Sequence, residues 1–322
     1  MTRRLAVLEA PGHHDSSPNS GAYAVRQRDF LARLGARDAG VVQARRGCGD
    51  GEAVNGNKGH NGHAHRDRGR DRFQSFTEAL AARTRELVGA REFPVVLGGD
   101  CSILLGNMLA LRRLGRYGLV FVDGRDEFSY APGQQRHCGY FAAAGLDLAL
   151  ATGNGPDALS NLYGLKPYVD ERHVVLFGMA RDPGDAMLAS GALGGPEVRG
   201  AGETLIDAAP IQQFRVERIR EIGARAAARE ALRYLDAHEL DGFWIHVDGD
   251  VLDRSAEPDE DAADAGGLEF DELGDALGEF LSSERAAGLE LTIYDPELDP
   301  DGESGEQLVD SVVRAFAPAA GP

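Results

Sequence analysis

The sequence predicts an α/β fold, a three-layer α/β/α sandwich built around one mainly parallel sheet. Two observations lead to this prediction. Short apolar runs typical of strands alternate with longer amphipathic segments typical of helices. The short runs are apolar on both faces, as strands must be when helices cover both sides of a parallel sheet. No linker rich enough in proline or glycine to separate two domains interrupts the 322 residues, so we expect one domain over residues 1–322.

The predicted elements follow one another in strand–helix order. Strands are predicted, from their aliphatic and aromatic content, at residues 5–8, 94–97, 118–123, 174–177, 243–248 and 290–294. Helices are predicted, from apolar residues at helical spacing, at residues 76–88, 102–114, 219–237, 272–283 and 305–316. In the last of these helices Leu308, Val312 and Val313 carry the spacing.

Two segments depart from this alternation. Residues 45–72 are rich in glycine, asparagine, histidine and alternating arginine and aspartate, a composition that cannot bury a core. We therefore expect an irregular surface loop at 45–72. Its His60, His63 and His65 are candidate metal ligands, although histidines among glycines are more often exposed to solvent. Residues 190–209, rich in glycine and alanine, are expected to form a second excursion from the sheet.

The charge and the cysteine content exclude several classes of function. The chain has 52 acidic and 34 basic residues, a formal net charge of −18, which repels nucleic-acid phosphates and anionic membrane surfaces. No apolar window reaches the ~18 residues of a membrane span, and the first residues lack a signal-peptide pattern. Three cysteines form no disulfide framework. We expect a cytoplasmic protein that acts on a small molecule.

Acidic side chains follow three of the predicted strands. The segments after these strands begin at Asp100 (sequence Asp-Cys-Ser), at Asp123 (Asp-Gly-Arg-Asp-Glu) and at His246 (His-Val-Asp-Gly-Asp). Ligands of an open parallel sheet bind at the carboxyl ends of its strands, and gathered carboxylates repel one another unless a cation lies among them. The alternative, that such acids are solvated or cap helices, is adequate for one strand end but not for three.

These motifs, in this order, resemble those of the ureohydrolase superfamily, which includes arginase, agmatinase and formiminoglutamase. The family pattern is Gly-Gly-Asp-His-Ser, Asp-Ala-His-x-Asp and Ser-x-Asp-x-Asp, and its side chains hold two manganese ions that activate a hydroxide. The resemblance runs from about residue 4 to residue 301. It implies the α/β/α fold, action on a C–N bond of a guanidino or amide-type small molecule, and a homo-oligomer.

The resemblance also implies roles for individual residues. It places metal ligands at Cys101, Asp123, Glu127, Asp248 and Asp250. It places substrate contacts at His137, Asp182, Asp185 and His246, and catalytic groups at Asp250, His137 and Cys101. Several of these positions depart from the family pattern. Cys101 stands where the family has histidine, Glu127 where it has aspartate, and His246 where it has serine. Ile293 stands in place of a late glutamate.

Arg125 is the largest departure, because it occupies the position of the second histidine ligand. A guanidinium is always protonated and cannot bind a metal ion. We therefore expect Arg125 to replace one of the two ions, with its guanidinium in a buried pair within hydrogen-bonding distance of at least one of Asp123, Asp248 and Asp250. The four acids, these three and Glu127, carry three more negative charges than the one arginine compensates. We therefore expect the site to bind either one divalent metal (manganese, zinc or iron) or no metal.

Three hypotheses about function remain open. The first is a divergent hydrolase that acts on a C–N bond with at most one metal, with a variant in which Cys101 is the nucleophile and His137 or His246 carries the proton. The second is a non-catalytic structural or regulatory member of the family that has lost the metal pair. The third is an ordinary two-manganese arginase or agmatinase whose ligands lie elsewhere in the sequence. The metal content of the purified protein distinguishes among them.

Overall fold

A computed structural model describes residues 3–11, 21–26, 28–42, 62–128, 143, 145–180, 205–252, 266–294, 296 and 299–317. Within this part of the chain, eight strands form one sheet in the order β2-β1-β3-β8-β7-β4-β5-β6, and each pairing is parallel. The strands are β1 (Arg4–Ala10), β2 (Arg37–Val41), β3 (Glu92–Gly98), β4 (Tyr117–Val122), β5 (Val174–Phe177), β6 (Gln212–Phe214), β7 (Gly242–Asp248) and β8 (Ala286–Thr292).

Helices cover both faces of this sheet. The α-helices are α1 (Gly21–Arg26), α2 (Phe30–Leu34), α3 (Gly62–Gly89), α4 (Ile103–Arg112), α5 (Asp147–Ala151), α6 (Asp157–Ser160), α7 (Leu205–Ala208), α8 (Val216–Ile222), α9 (Ala224–Asp236), α10 (Phe270–Ser282) and α11 (Glu303–Phe316). Short 3₁₀ helices lie at Leu162–Gly164, Glu171–His173 and Gly249–Val251. Helices α3 to α7 pack on one face, and the remaining α-helices pack on the other.

Side chains that alternate along the strands divide the core into two apolar clusters. In β3, for example, Val95 and Leu97 belong to one cluster and Val96 to the other, and all three are buried. This alternation is the consequence of the two-residue repeat of a strand. The predicted α/β/α sandwich is therefore confirmed, with a sheet that is parallel throughout the described pairings.

Several element predictions differ from the structure. Strands β2 and β6 were not predicted, and the last strand begins at Ala286 rather than at residue 290. The predicted helix 219–237 is two helices, because Gly223, with φ of 86°, ends α8 and begins α9. None of the helices in the described part of the chain has the length and apolar content that crossing a membrane requires.

The prediction of an irregular loop at 45–72 is wrong for its second part. Helix α3 begins at Gly62 and extends through these residues into a segment where Phe73, Phe76 and Leu80 are buried. Packing of those residues fixes the helix, and arginine, a good helix former, continues it towards the N-terminus. His63 and His65 thus fall in the first turn of α3, whereas 43–61, with His60, lie outside the described residues. Residues 190–204 of the second segment lie outside them too, and 205–208 form α7.

Candidate functional site

The carboxyl ends of four central strands, β3, β8, β7 and β4, meet at one edge of the sheet. The turn after β3 requires glycine, because a Cβ atom at Gly99 would lie 2.5 Å from the carbonyl oxygen of Pro11. This close approach of β1 and β3 places the next residues of the turn, including Cys101, over the ends of the neighbouring strands. The topology therefore brings together side chains that are far apart in the sequence.

Asp123, Asp248 and Asp250 form a carboxylate cluster at this edge. One oxygen from each of the three lies within 4.8 Å of the others. Backbone amides orient them: Arg125 N donates to Asp123 Oδ1 at 2.7 Å, and Asp250 N donates to Asp248 Oδ1 at 2.8 Å. Asp123 and Asp248 are buried, whereas the side chain of Asp250 is 18% exposed. The structure thus brings together three of the predicted metal ligands.

Burial and mutual repulsion change the acidity of this cluster. Burial, followed by the charge of Asp250, raises the pKa of Asp248 to about 7. Burial and the charge of Asp248 raise the pKa of Asp123 well above its usual range. Glu127, the fourth predicted carboxylate, has its pKa raised to about 8 by burial and by the charges of Asp250 and Asp248. Each shift favours the neutral acid, so this edge of the sheet attracts a cation.

Cys101 lies beside the cluster and is only 2% exposed. Its Sγ is 2.6 Å from Asp248 Oδ2 and 3.4 Å from Thr292 Oγ1. Burial, with the nearby charge of Asp248, raises the pKa of the thiol well above its usual value. Because the thiolate is the nucleophilic form of cysteine, these surroundings disfavour Cys101 as a nucleophile and leave it as a ligand or a packing residue.

His246 lies deeper in the sheet than a substrate contact would require. It is fully buried, and its ring stacks on Phe121 with the ring centroids 4.5 Å apart. His246 Nδ1 is 2.7 Å from Glu290 Oε1, on the strand position directly opposite in β8. Glu290 also accepts a hydrogen bond from Asn107 Nδ2, and Thr84 Oγ1 donates to Asn107 Oδ1 at 2.6 Å. The substrate role of His246 stays a prediction.

Arg125 differs from the expectation of a buried cation. Its Nε is 3.4 Å from Asp250 Oδ2, so the guanidinium does contact the cluster, but the side chain is 62% exposed. The residue lies where the chain leaves β4 towards solvent, and a long arginine side chain keeps its charged end hydrated. The expected contact with one of the three acids is therefore present, at Asp250, whereas the expectation that this pair is buried is wrong.

Two buried acids near the site were not predicted from the sequence. Asp147 begins α5, is fully buried, and has no hydrogen-bond partner for either carboxylate oxygen among the described residues. Burial, followed by the charge of Glu127, raises the pKa of Asp147 well above its usual value. Glu290 is the other. In both cases the sequence signal is a single acid within an apolar run, Leu-Asp-Leu or Leu-Glu-Leu.

The remaining predicted site residues, His137, Asp182 and Asp185, lie outside the described residues. Ile293 lies directly after β8 with φ of 55°, a left-handed conformation that a β-branched residue rarely adopts. Glu127 also has positive φ, of 42°. Strained backbone of this kind is concentrated at functional sites, and here both positions adjoin the carboxylate cluster.

Comparisons with known proteins agree with this fold. Residues 17–317 match the profile of the Arginase family. An arginase of Staphylococcus aureus (strain COL) is 25% identical over 328 aligned positions, which cover 98% of this chain and 97% of the relative. An arginase of Bacillus subtilis (strain 168) is 24% identical over 73% of this chain and 72% of its own length.

Among solved structures, arginase from Bacillus cereus superimposes with a TM-score of 0.73 at 20% identity, over 99% of this chain and 100% of that chain. Formimidoylglutamase from Bacillus subtilis superimposes with a TM-score of 0.63 at 18% identity, over 98% and 86% of the two chains. These structures establish the shared fold. Because the family profile also spans nearly all of the sequence, the chain belongs to the arginase family, within the ureohydrolase superfamily.

Proposed function

We propose that this protein hydrolyses a C–N bond in a small guanidino or amide-type molecule, and that it does so with at most one bound metal. The observation that carries the proposal is the cluster of Asp123, Asp248 and Asp250 at the carboxyl edge of an arginase-family sheet. Burying these carboxylates together is costly, since like charges repel and burial penalises ionisation. A binding or catalytic role for the cluster is the simplest reason for that cost.

The residues at this edge do not fit the two-manganese centre that the family implies. Arg125 occupies the place of one histidine ligand, and its guanidinium lies 3.4 Å from Asp250, one of the carboxylates that would bind the second ion. A guanidinium offers no lone pair to a metal and repels it. We therefore derive no reaction step through a metal pair. A single divalent ion, where bound, supplies a water of lowered pKa.

The side chains themselves support the binding and the proton transfers of such a reaction. Asp250 and Glu127 are partly exposed, so they form the side of the cluster that a cationic guanidino group can reach. Asp123 and Asp248 add negative charge beneath them. In the hydrolysis a water oxygen forms the new bond to carbon and the carboxylate of Asp250 accepts the water proton. Asp250 then passes this proton to the departing nitrogen as the C–N bond breaks. His137, Asp182 and Asp185 remain predicted substrate contacts.

The proposal is tested by incubating the purified protein, with and without added Zn²⁺ or Mn²⁺, with arginine, agmatine, 4-guanidinobutyrate and formiminoglutamate. We expect release of urea, or of the corresponding formyl product, from one of them. Asp250→Asn is expected to lower kcat by about 100-fold or more, because it removes the proton acceptor. Asp275 lies on α10 and forms a surface ion pair with Arg225 of α9. Asp275→Asn is the matched control and is expected to keep the rate. A folded, metal-loaded protein that turns over none of the four contradicts the proposal.

A second candidate function, a non-catalytic member of the family, is favoured by one observation. Cys101 and Arg125 replace both of the histidines that the resemblance assigns to metal binding. A protein of this kind is expected to bind a guanidino ligand at the carboxylate cluster without releasing product. Calorimetric binding of agmatine that depends on Asp250, with no turnover in the assay above, is the result that selects this candidate.

A further inference from the structure

The ring of His246 is held by a one-way chain of hydrogen bonds. Thr84 donates to Asn107 Oδ1, Asn107 Nδ2 donates to Glu290, and Glu290 is left to accept from His246 Nδ1 through its other oxygen. A carboxylate that accepts at both oxygens places the ring proton of His246 on Nδ1. The opposite nitrogen, Nε2, therefore carries a free lone pair.

That lone pair is buried and has no partner. His246 is 0% exposed, and no described residue forms a hydrogen bond with its Nε2. A buried polar atom without a partner destabilises the folded chain, so its presence needs an explanation. The chain of Thr84, Asn107, Glu290 and His246 thus fixes the ring so that Nε2 is left as an acceptor. None of the described side chains donates a hydrogen bond to it.

Cys101 and Asp248 lie near the ring of His246, and Nε2 is the ring nitrogen that the bond to Glu290 leaves free to face them. A ligand atom from each of Cys101, His246 and Asp248 lies within 4.8 Å of the other two, and all three side chains are buried. Sulfur, imidazole nitrogen and carboxylate oxygen are the donors of zinc sites, in which the bonds are about 2.0–2.3 Å long. Ligands of one tetrahedral ion are consequently about 3.5 Å apart, so Cys101 Sγ and Asp248 Oδ2 need to separate by about 1 Å.

We propose that Cys101 Sγ, His246 Nε2 and an oxygen of Asp248 bind one zinc-type divalent cation, and that Glu290 orients His246 from the outer sphere. A metal-bound histidine generally donates its other ring nitrogen to a carboxylate, which is the arrangement of His246 and Glu290. Three protein ligands leave a fourth tetrahedral position open, as in catalytic rather than structural zinc sites. The cation also replaces the thiol proton that Cys101 directs at Asp248.

This ligand set differs from the one that the family resemblance implies. The resemblance selects its metal ligands from Cys101, Asp123, Glu127, Asp248 and Asp250, and it puts a serine, which is no ligand, at the place of His246. In the structure, Asp123 and Asp250 instead form a separate group with Asp248, and Arg125 contacts that group through Asp250. One half of the site thus has the sulfur and nitrogen donors that suit zinc. The other half has carboxylates that are paired with the guanidinium of Arg125. The inference concerns metal binding alone and stands whether or not the protein hydrolyses a guanidino substrate.

The experiment is titration of chelator-treated protein with Co²⁺, followed by absorption spectroscopy. Cobalt occupies zinc-type sites, and a cobalt–thiolate bond gives a charge-transfer band in the near ultraviolet. We expect one equivalent to bind with this band and with tetrahedral visible transitions. Cys101→Ser is expected to abolish the band, whereas Cys138→Ser, the matched control, is expected to keep it.

Three further variants separate the proposed ligands from the alternative set, which is the one that the family resemblance implies. His246→Gln is expected to weaken Co²⁺ binding by about 100-fold or more, and Glu290→Gln by about 10–100-fold. Glu127→Gln, which removes a ligand of the alternative set only, is expected to leave the affinity within about threefold of that of the unaltered chain. Circular dichroism and Tm in EDTA show whether each variant folds. If His246→Gln does not fold, the affinity of Glu290→Gln still tests the proposal.

The proposal is overturned by any of four results, three of which concern how Co²⁺ is bound. The first is Co²⁺ binding without a thiolate band, the second is unchanged affinity in a folded His246→Gln or Glu290→Gln protein, and the third is an equal loss of affinity in Glu127→Gln. A protein that binds no Co²⁺ at all also overturns it. None of these outcomes decides whether the chain has hydrolase activity, which the urea-release assay measures separately.

Discussion

At the scale of single residues, Arg125 contributes charge to the site without being part of the core. Its side chain is 62% exposed and contacts Asp250 at 3.4 Å. Exposed ion pairs contribute about 0–1 kcal/mol, because solvent screens them and side-chain entropy opposes them. We therefore expect Arg125→Ala to lower the free energy of unfolding by less than about 1 kcal/mol, as measured in urea. Arg218→Ala, at an exposed surface pair with Glu221, is the control; a loss of 3 kcal/mol or more specific to Arg125→Ala would mean that the guanidinium is buried in solution.

The same residue shows what the sequence predicts at this scale. That Arg125, Cys101, Asp123 and Asp248 lie near one edge follows from their positions after strands of a parallel sheet. The burial of each side chain does not follow, because it depends on where the chain runs after the strand. The pairing of His246 with Glu290 was missed for a related reason: it needs the register of β7 against β8, which one sequence does not contain.

At the scale of elements, the ends of β7 and β8 are the part of the fold that determines the site. Gly249 follows Asp248 at the end of β7, and a Cβ atom there would lie 2.7 Å from the carbonyl oxygen of Ile293. Because that atom belongs to the backbone, Gly249→Ala must push the turn that holds Asp248 and Asp250 away from the end of β8. We expect a destabilisation of about 1–3 kcal/mol together with weaker Co²⁺ binding.

The control for this prediction is Gly278→Ala on α10. A Cβ atom at Gly278 meets nothing within 4 Å, and alanine is the better helix former by about 1 kcal/mol. Gly278→Ala is therefore expected to leave metal binding unchanged and to stabilise the protein slightly. Equal effects of the two substitutions on Tm and on Co²⁺ affinity would contradict the role that we give to the β7–β8 contact.

Elements were predicted from the sequence where they are central and apolar. Strands β3, β4, β5 and β7 are fully or almost fully buried, so their composition alone identifies them. The two missed strands lie at the edges of the sheet: β2 reads Arg-Asp-Ala-Gly-Val and β6 reads Gln-Gln-Phe. Edge strands are short and half exposed, and their polar residues are hydrated rather than packed in a core. Their pairing is decided by the neighbouring strand, which the local sequence does not reveal.

At the scale of the whole molecule, the protein combines a net charge of −18 with a buried group of acids. Asp123, Asp147, Asp248 and Glu127 all have their pKa raised in the folded chain. Other ionisable and charged groups around them are Cys101, His246, Asp250, Glu290 and Arg125. Without a metal ion the folded state therefore binds protons at these carboxyl groups more tightly than the unfolded chain does. The unfolded chain releases those protons above about pH 4.

The stability of the metal-free protein is consequently expected to fall as the pH rises. A carboxyl group whose pKa is raised by folding gives its full stabilisation below the unfolded pKa of about 4. That stabilisation is lost as the pH rises from there to the folded pKa, which is about 7 for Asp248 and about 8 for Glu127. At the acid side Asp170, with its pKa lowered to about 2 by Arg172, opposes unfolding until it is protonated. We expect Tm in EDTA to be highest near pH 4, to have begun to fall by pH 5 and to be roughly 5–10 °C lower at pH 8.

Glu127→Gln isolates the contribution of the site to this pH dependence. It removes one acid with a raised pKa, so the fall in Tm between pH 5 and pH 8 is expected to become smaller, chiefly through a higher Tm at pH 8. Glu306→Gln, at an exposed ion pair with Arg33, leaves the buried acids intact and is expected to keep the full slope. A saturating divalent cation is expected to flatten the slope in the unaltered protein, because it supplies the charge that the carboxylates lack and binds more tightly as protons leave. A metal-free protein whose Tm rises from pH 5 to pH 8 would show that these acids are ionised and neutralised within the chain itself.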